Sequence, residues 1–72
     1  MTLTQIGALL TVLECGGFTE AGKRLYMTQS AVSQAIAALE EELGVDILVR
    51  ERRKAITLTV AGVRIVSHLR RL

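Results

Sequence analysis

The chain has 72 residues, half of them hydrophobic, which suffices for one small domain but not for a separate substrate-binding domain. One tyrosine, one phenylalanine and one cysteine argue against a base-stacking RNA-binding sheet, an intrachain disulfide and a cysteine-rich zinc site. No apolar run is long enough to span a bilayer and no signal-peptide pattern begins the chain, so we expect a soluble, cytoplasmic protein.

Charge is distributed unevenly along the chain, although the net value is only +2. Residues 1–49 carry two cations and six anions, a balance of 2 − 6 = −4, whereas residues 50–72 carry seven cations and one anion, a balance of 7 − 1 = +6. This polarity favours a polyanionic partner for the C-terminal segment. A solvated charged surface would give the same count.

Capping residues and glycines predict where the first two helices begin and end. Thr2 caps a first helix that ends at Gly16-Gly17, and Thr19 caps a short second helix that ends before Tyr26-Met27. The apolar residues of the first helix recur at spacings of three and four and predict its buried face: Leu3, Ile6, Leu10 and Leu13, flanked by Leu9 and Val12. In the second helix, Ala21 and Leu25 are predicted to face inward.

A third helix is predicted between Thr28 as its cap and Gly44 as its stop. Its buried stripe is predicted to contain Val32, Ile36, Leu39 and Leu43. Two helices joined by a turn of about three residues are the arrangement of a helix-turn-helix.

The segment after Gly44 changes character and predicts a hairpin followed by a last helix. Two β-prone runs, 47–49 and 55–58, flank the charged residues 50–54, and Thr59 caps the final helix. That helix reaches the end of the sequence without a stop signal, so we expect the chain to be part of a longer protein. The predicted fold class is mainly α, a winged helix-turn-helix with three helices, a two-stranded wing and the start of a further helix.

The N-terminal surface of the third helix consists of small or amide-bearing side chains that suit contact with DNA. No acidic residue occurs from Thr28 to Leu39, so the positive end of the helix dipole can attract a phosphate. Gln29 and Gln34 can both donate to and accept from a base edge, and Ser33 can contact a base or a phosphate. Taken singly, each residue is typical of an ordinary solvated helix face. The arginines of the hairpin, placed to follow a phosphate backbone or enter a minor groove, favour the DNA interpretation.

Four segments together resemble the N-terminal winged helix-turn-helix of LysR-type transcriptional regulators. In chain order they are FTEAGKRL (18–25), TQSAVSQAI (28–36), LEEELG (39–44) and LTVAG (58–62). The resemblance covers essentially the whole chain. It implies a DNA-binding domain over residues 1–58, with recognition helix 28–43 in the major groove and wing 47–58 on the backbone or minor groove. Residues 59–72 would begin a linker helix for dimerisation.

The resemblance also assigns individual DNA contacts. They are Thr28, Gln29, Ser30, Ser33 and Gln34 in the recognition helix and Arg50, Arg52 and Arg53 in the wing. The family usually has proline where Ser30 stands, and many members have arginine where Gln34 stands. The bidentate contact of arginine with guanine is therefore absent at Gln34, which changes the expected base preference.

The partners implied are double-stranded DNA with a pseudo-palindromic operator and a second copy of the chain. Four apolar residues of the last helix are expected to form the homodimer contact: Val63, Val66, Leu69 and Leu72. The alternative is that this helix packs back on the first one. A higher oligomer is expected only for the intact regulator, and no small-molecule effector or membrane is expected for this fragment.

Catalysis and metal binding are not expected. One histidine, His68, and one cysteine, Cys15, cannot complete a metal site, and no nucleophile, base and acid set accompanies them. We therefore predict no cofactor and no enzyme activity. The alternative function is a winged-helix protein-interaction or dimerisation module without DNA binding, whose basic segment contacts an acidic partner.

Overall fold

Four helices occur in the part of the chain that the computed structural model describes, residues 1–49 and 56–72. They are α1 (Leu3–Cys15), α2 (Phe18–Leu25), α3 (Gln29–Leu43) and α4 (Val60–Leu69). The first three pack against one another, and their order is the predicted one. None of the helices in these ranges is both long and apolar enough to cross a membrane.

Local capping explains the bounds of α1. The Thr2 hydroxyl accepts from the Gln5 amide, and the Gln5 side chain accepts from the Thr2 amide, both at 3.1 Å. This capping box satisfies two free donors of the first turn. Gly16 then closes the helix with a φ of 80°, a conformation that favours glycine. Both predicted ends are confirmed.

The buried face of α1 differs from the predicted one. The fully buried residues are Ala8, Leu9 and Val12, whereas Leu3 in the first turn is 87% exposed. Ile6, Leu10 and Leu13 are partly buried against this centre. Both α2 and α3 contact α1. The buried face is therefore centred on Leu9 and Val12, beside the row of apolar residues that the spacing alone predicted.

Helix α2 begins two residues earlier than the predicted Thr19 cap allows. Gly17 in an extended conformation is the N-cap, and Thr19 lies exposed inside the first turn, so the predicted Thr19 cap is wrong. The earlier start places Phe18 against the core, as a partly buried side chain. Ala21 is fully buried and Leu25 partly buried, as predicted.

The turn between α2 and α3 is held by a close backbone crossing. The Met27 amide donates to the Gly22 carbonyl at 2.8 Å, and a Cβ on Gly22 would lie 2.6 Å from the Met27 oxygen. Only glycine fits this approach. Tyr26 takes the left-handed conformation, with a φ of 57°, and its side chain is 97% exposed.

Helix α3 follows the predicted pattern over three of its four turns. The Thr28 hydroxyl accepts from the Ala31 amide at 3.0 Å, and Gly44 ends the helix with a φ of 72°. Val32, Ile36 and Leu39 are fully buried. The prediction for Leu43 is wrong, because the helix ends there and the side chain is 38% exposed.

The predicted two-stranded wing is present in the described residues only as one antiparallel bridge, between Leu48 and Leu58. The Val49 amide donates to the Thr57 carbonyl and the Thr59 amide to the Ile47 carbonyl, each at 2.9 Å. Residues 50–55 between them lie outside the described part of the chain.

Helix α4 is capped as predicted and packs on the core of its own chain. The Thr59 hydroxyl accepts from the Gly62 amide at 2.9 Å and donates to the Asp46 carbonyl at 2.5 Å. The helix ends at Leu69, before the last three residues, rather than continuing to Leu72 as predicted. Val66 and Leu69 are 2% and 7% exposed, so α4 is part of the core.

Candidate nucleic-acid interface

The residues predicted to read DNA come together at the N-terminal end of α3. Thr28, Gln29, Ser30 and Gln34 are exposed, and Ser33 is half-buried. At 3.6 residues per turn, four of these side chains lie within an arc of about 140° around the helix axis: Gln29, Ser30, Ser33 and Gln34. The buried Val32 and Ile36 lie outside this arc. The structure thus presents Gln29, Ser30, Ser33 and Gln34 on one polar surface of α3, directly after the N-cap Thr28. These five residues are called the reading surface below.

Two backbone amides in the first turn of α3 are available to an acceptor from outside. The Ala31 amide donates to the Thr28 hydroxyl, and the Val32 amide donates to the Thr28 carbonyl. Within the described residues, the amides of Gln29 and Ser30 have no acceptor. Free amides and the positive end of the helix dipole together suit a phosphate oxygen.

The acidic residues of α3 lie at its other end. The first turn contains none, and Glu40 follows Gln29 by eleven residues, about 16 Å along the axis at 1.5 Å per residue. Glu41 and Glu42 beside it are exposed. The electrostatic repulsion of phosphate is therefore confined to the C-terminal end of the helix.

The two cations of α2 are paired with carboxylates on the surface. Lys23 Nζ lies 3.4 Å from Glu20, and Arg24 lies 2.5 Å from Glu14. Exposed pairs of this kind are weak, so both cations can turn to a phosphate at small cost. In the described part of the chain, Arg64, Arg70 and Arg71 are exposed and form no ion pair.

The predicted wing contacts Arg50, Arg52 and Arg53 lie outside the described residues. The structure does describe the base of the wing, residues 47–49 and 56–58. Ile47 and Leu48 are buried in the core against α3, and the Leu48–Leu58 bridge joins the two arms. The base of the wing and the reading surface therefore depend on the same helix.

Glu40 is a buried residue that sequence reasoning missed. It is the first of three consecutive glutamates, Glu40 to Glu42, yet it is only 6% exposed. Its Oε2 atom accepts from the amides of Ile47 at 2.7 Å and Leu48 at 3.1 Å. One signal in the sequence could have identified it: a spacing of four from Ile36 places Glu40 beside the buried stripe.

The four residues predicted to dimerise do not share one environment. Val66 and Leu69 are buried in the core of their own chain. Val63 is 55% exposed and Leu72 is 88% exposed. Val60, which was not predicted, is 79% exposed one turn before Val63. Packing of α4 on its own domain, weighed as an alternative above, accounts for the buried pair.

In the described ranges, no group of three or more histidine, cysteine, aspartate or glutamate side chains is close enough to hold an ion. Cys15 is a half-buried free thiol at the end of α1. The candidate site therefore consists of the polar side chains of the reading surface and the free backbone amides at the start of α3.

Comparison with known proteins gives a family match over most of the chain. The family model described as "Bacterial regulatory helix-turn-helix protein, lysR family" matches residues 3–63. An uncharacterized HTH-type transcriptional regulator of Bacillus subtilis, YvbU, is 47% identical over 70 residues, which are 97% of this chain and 24% of that protein. A probable nitrogen assimilation transcriptional activator of Synechococcus elongatus is 40% identical over 72 residues, which are 100% of this chain and 23% of that protein. The chain thus spans about a quarter of the length of these two relatives.

Solved structures with the same fold include two protein–DNA complexes. The BenM_DBD/benA site 1 DNA complex matches with a TM-score of 0.90 and 31% identity, over 99% of this chain and 79% of that chain. The CbnR_DBD–DNA complex matches with a TM-score of 0.88 and 37% identity, over 99% of this chain and 80% of that chain. Each covers the helices and the base of the wing described above.

Proposed function

The chain belongs to the LysR family of bacterial regulatory helix-turn-helix proteins and is a DNA-binding domain of a transcriptional regulator, and from this premise we propose how it reads its operator. The reading surface of α3 enters the major groove of double-stranded DNA, and the wing lies on the backbone or in the minor groove. The observation that carries this proposal is the reading surface itself: five polar residues, two free amides and no carboxylate at one exposed helix end.

The proposed contacts divide into positioning and sequence reading. The amides of Gln29 and Ser30 and the cations of the wing, Arg50, Arg52 and Arg53, hold phosphates. Gln29, Gln34 and Ser33 face base edges. Phosphate contacts supply most of the affinity and its salt dependence, whereas base contacts supply specificity. Thr28 contributes mainly as the cap of α3, because its hydroxyl already accepts from Ala31.

Two copies of the domain are proposed to bind a pseudo-palindromic operator as a homodimer. The exposed apolar residues of the α4 segment, Val60, Val63 and Leu72, are the contacts we propose, in place of Val66 and Leu69. Two-fold symmetry of the protein then requires two half-sites at a fixed spacing. A higher oligomer and effector sensing are proposed for the remainder of the regulator, in the bacterial cytoplasm where its DNA lies.

The test is selection of DNA by the chain, followed by binding measurements over a salt series. A duplex selected from a random pool is used in mobility-shift assays between about 50 mM and 200 mM salt. We expect binding that weakens linearly with the logarithm of salt concentration. Absence of binding at the low end, or binding that does not respond to salt, would leave the protein-interaction module as the better account.

Two substitutions separate the proposed roles. Gln29→Ala is expected to cost about 1–3 kcal/mol on the selected duplex and little on a duplex changed at the base pair that Gln29 reads. Arg53→Ala is expected to weaken binding to all duplexes alike and to reduce the salt slope by about 1. Equal, uniform losses in both variants would refute the division between positioning and reading.

A further inference from the structure

A buried carboxylate joins the recognition helix to the base of the wing. Glu40 is the only charged side chain in the core of the described residues, at 6% exposure. Burial of a charge costs several kcal/mol unless hydrogen bonds compensate for the lost water. Here two backbone amides in succession, those of Ile47 and Leu48, donate to the same carboxylate oxygen. The placement of these two residues is therefore fixed directly by α3.

The two amides belong to the arm that leads into the wing. On its other side, this arm is bonded to the chain that leaves the wing, through Val49 to Thr57 and Thr59 to Ile47. The Thr59 hydroxyl adds a bond to the Asp46 carbonyl. Both arms thus form one bonded unit, and Glu40 is the side chain of α3 that binds it. A shift of this carboxylate would move both arms together.

An apolar side chain could fill the space of Glu40 but could not accept these two hydrogen bonds. It would leave the amides of Ile47 and Leu48 without their acceptor, so their position relative to α3 would no longer be specified by direction. Core packing alone is less directional than a hydrogen bond.

We propose that Glu40 is a positioning residue for DNA binding, which sets the wing at the height and angle that lets it contact DNA while α3 lies in the major groove. The inference rests on the proposed function, in which wing cations contact phosphates. Glu40 itself touches no DNA in this scheme. It lies about 16 Å along α3 from the start of the reading surface, so its loss changes wing contacts and leaves base reading intact.

The test compares Glu40→Met, which keeps the side-chain length and removes both oxygens, with Glu40→Gln, whose carbonyl oxygen can still accept from both amides. Glu41→Ala is the matched control, because it removes the same charge from an exposed neighbour on α3. All variants carry Gly7→Ala, since a Cβ at Gly7 meets nothing within 4 Å and alanine stabilises the helix. This background offsets part of the stability that Glu40→Met loses with its two hydrogen bonds. An Arg52→Ala/Arg53→Ala variant reports the contribution of the wing.

Affinity for the selected duplex is measured against salt, with the active fraction determined by stoichiometric titration. Each lost phosphate contact reduces the slope by about 0.9, so the double arginine variant is expected to lose about 1.8. We expect Glu40→Met to lose a similar amount, with discrimination between the selected duplex and one altered in the major-groove bases unchanged. Glu40→Gln and Glu41→Ala are expected to keep the wild-type slope. Loss of stability alone would lower the active fraction and leave the slope of the folded protein unchanged.

Two outcomes would overturn the inference in distinguishable ways. If the arginine variant loses slope and Glu40→Met does not, Glu40 has no positioning role and the proposed function stands. If the arginine variant keeps the wild-type slope, the wing does not contact phosphates, and the proposed wing contact and the inference fail together. Faster hydrogen exchange of the Ile47 and Leu48 amides in Glu40→Met than in Glu40→Gln is expected as direct evidence of the lost bonds.

Discussion

Gly62 allows α4 to begin directly against the base of the wing, and its substitution by alanine is the sharpest test of this packing. A Cβ on Gly62 would lie 2.2 Å from the Ile47 oxygen, where ordinary contact requires 3.4 Å. The start of α4 would have to withdraw by 3.4 − 2.2 = 1.2 Å. The Thr59–Ile47 hydrogen bond would then lengthen from 2.9 Å to 2.9 + 1.2 = 4.1 Å and be lost, if the movement is along the bond.

The expected cost follows from these distances. Loss of the hydrogen bond costs about 1 kcal/mol and disturbed packing about 2 kcal/mol, while alanine returns about 1 kcal/mol of helix propensity. Gly62→Ala should therefore destabilise the domain by about 2 kcal/mol. For a domain of this size, that lowers the midpoint of thermal unfolding by roughly 8–16 °C.

Gly7→Ala is the matched control, because it makes the same chemical change inside α1, where the new Cβ meets nothing within 4 Å. It should stabilise by about 0.5–1 kcal/mol through helix propensity alone. The unfolding midpoint of each variant is measured by heating, with the helix signal followed by far-ultraviolet circular dichroism. An unfolding midpoint for Gly62→Ala at or above that of the wild type would refute the reasoning, as would shifts of the same sign in both.

Two further substitutions test the turn and the reading surface. Tyr26→Asn should raise stability by about 1 kcal/mol, because asparagine tolerates the left-handed conformation and the tyrosine side chain is 97% exposed; unchanged or lower stability in urea unfolding would contradict this. Thr28→Asp should keep stability within about 0.5 kcal/mol, since aspartate also caps a helix, yet weaken DNA binding at low salt through repulsion of phosphate. Thr28→Ala should show the opposite pattern, a loss of about 1 kcal/mol in stability with a smaller effect on binding per folded molecule.

Helix bounds could be predicted from the sequence because they depend on local groups. Thr2, Thr28 and Thr59 each satisfy amides within three residues of themselves, and Gly16 and Gly44 each close a helix by their own backbone conformation. Thr19 was the exception. Its hydroxyl was as suitable a cap as the others, but Phe18 gains burial when the helix starts at Gly17, and packing decided the start.

Buried faces and the wing depended on contacts that no local pattern records. Leu3 continues the apolar spacing of α1, yet its side chain in the first turn is exposed. Val66 and Leu69 were read as surplus apolar surface for a partner, because the depth to which α4 packs on its own domain follows from the close approach at Gly62. Of the predicted hairpin, the described residues show one bridge, between Leu48 and Leu58, with the bonds from Val49 to Thr57 and from Thr59 to Ile47 beside it.

The charge pattern of α3 also gives the domain a preferred direction of approach to DNA. The N-terminal end offers free amides at Gln29 and Ser30 together with the positive end of the helix dipole. The C-terminal end combines the negative end of that dipole with the exposed carboxylate of Glu41, while the neighbouring Glu42 pairs with the amino group of Met1. Both contributions have the same sign at each end, so they add. A phosphate backbone is attracted to the reading surface and repelled from the far end. Residues 1–49 have a net charge of 2 − 6 = −4, and the three of their anions that belong to α3, Glu40, Glu41 and Glu42, all lie at that far end.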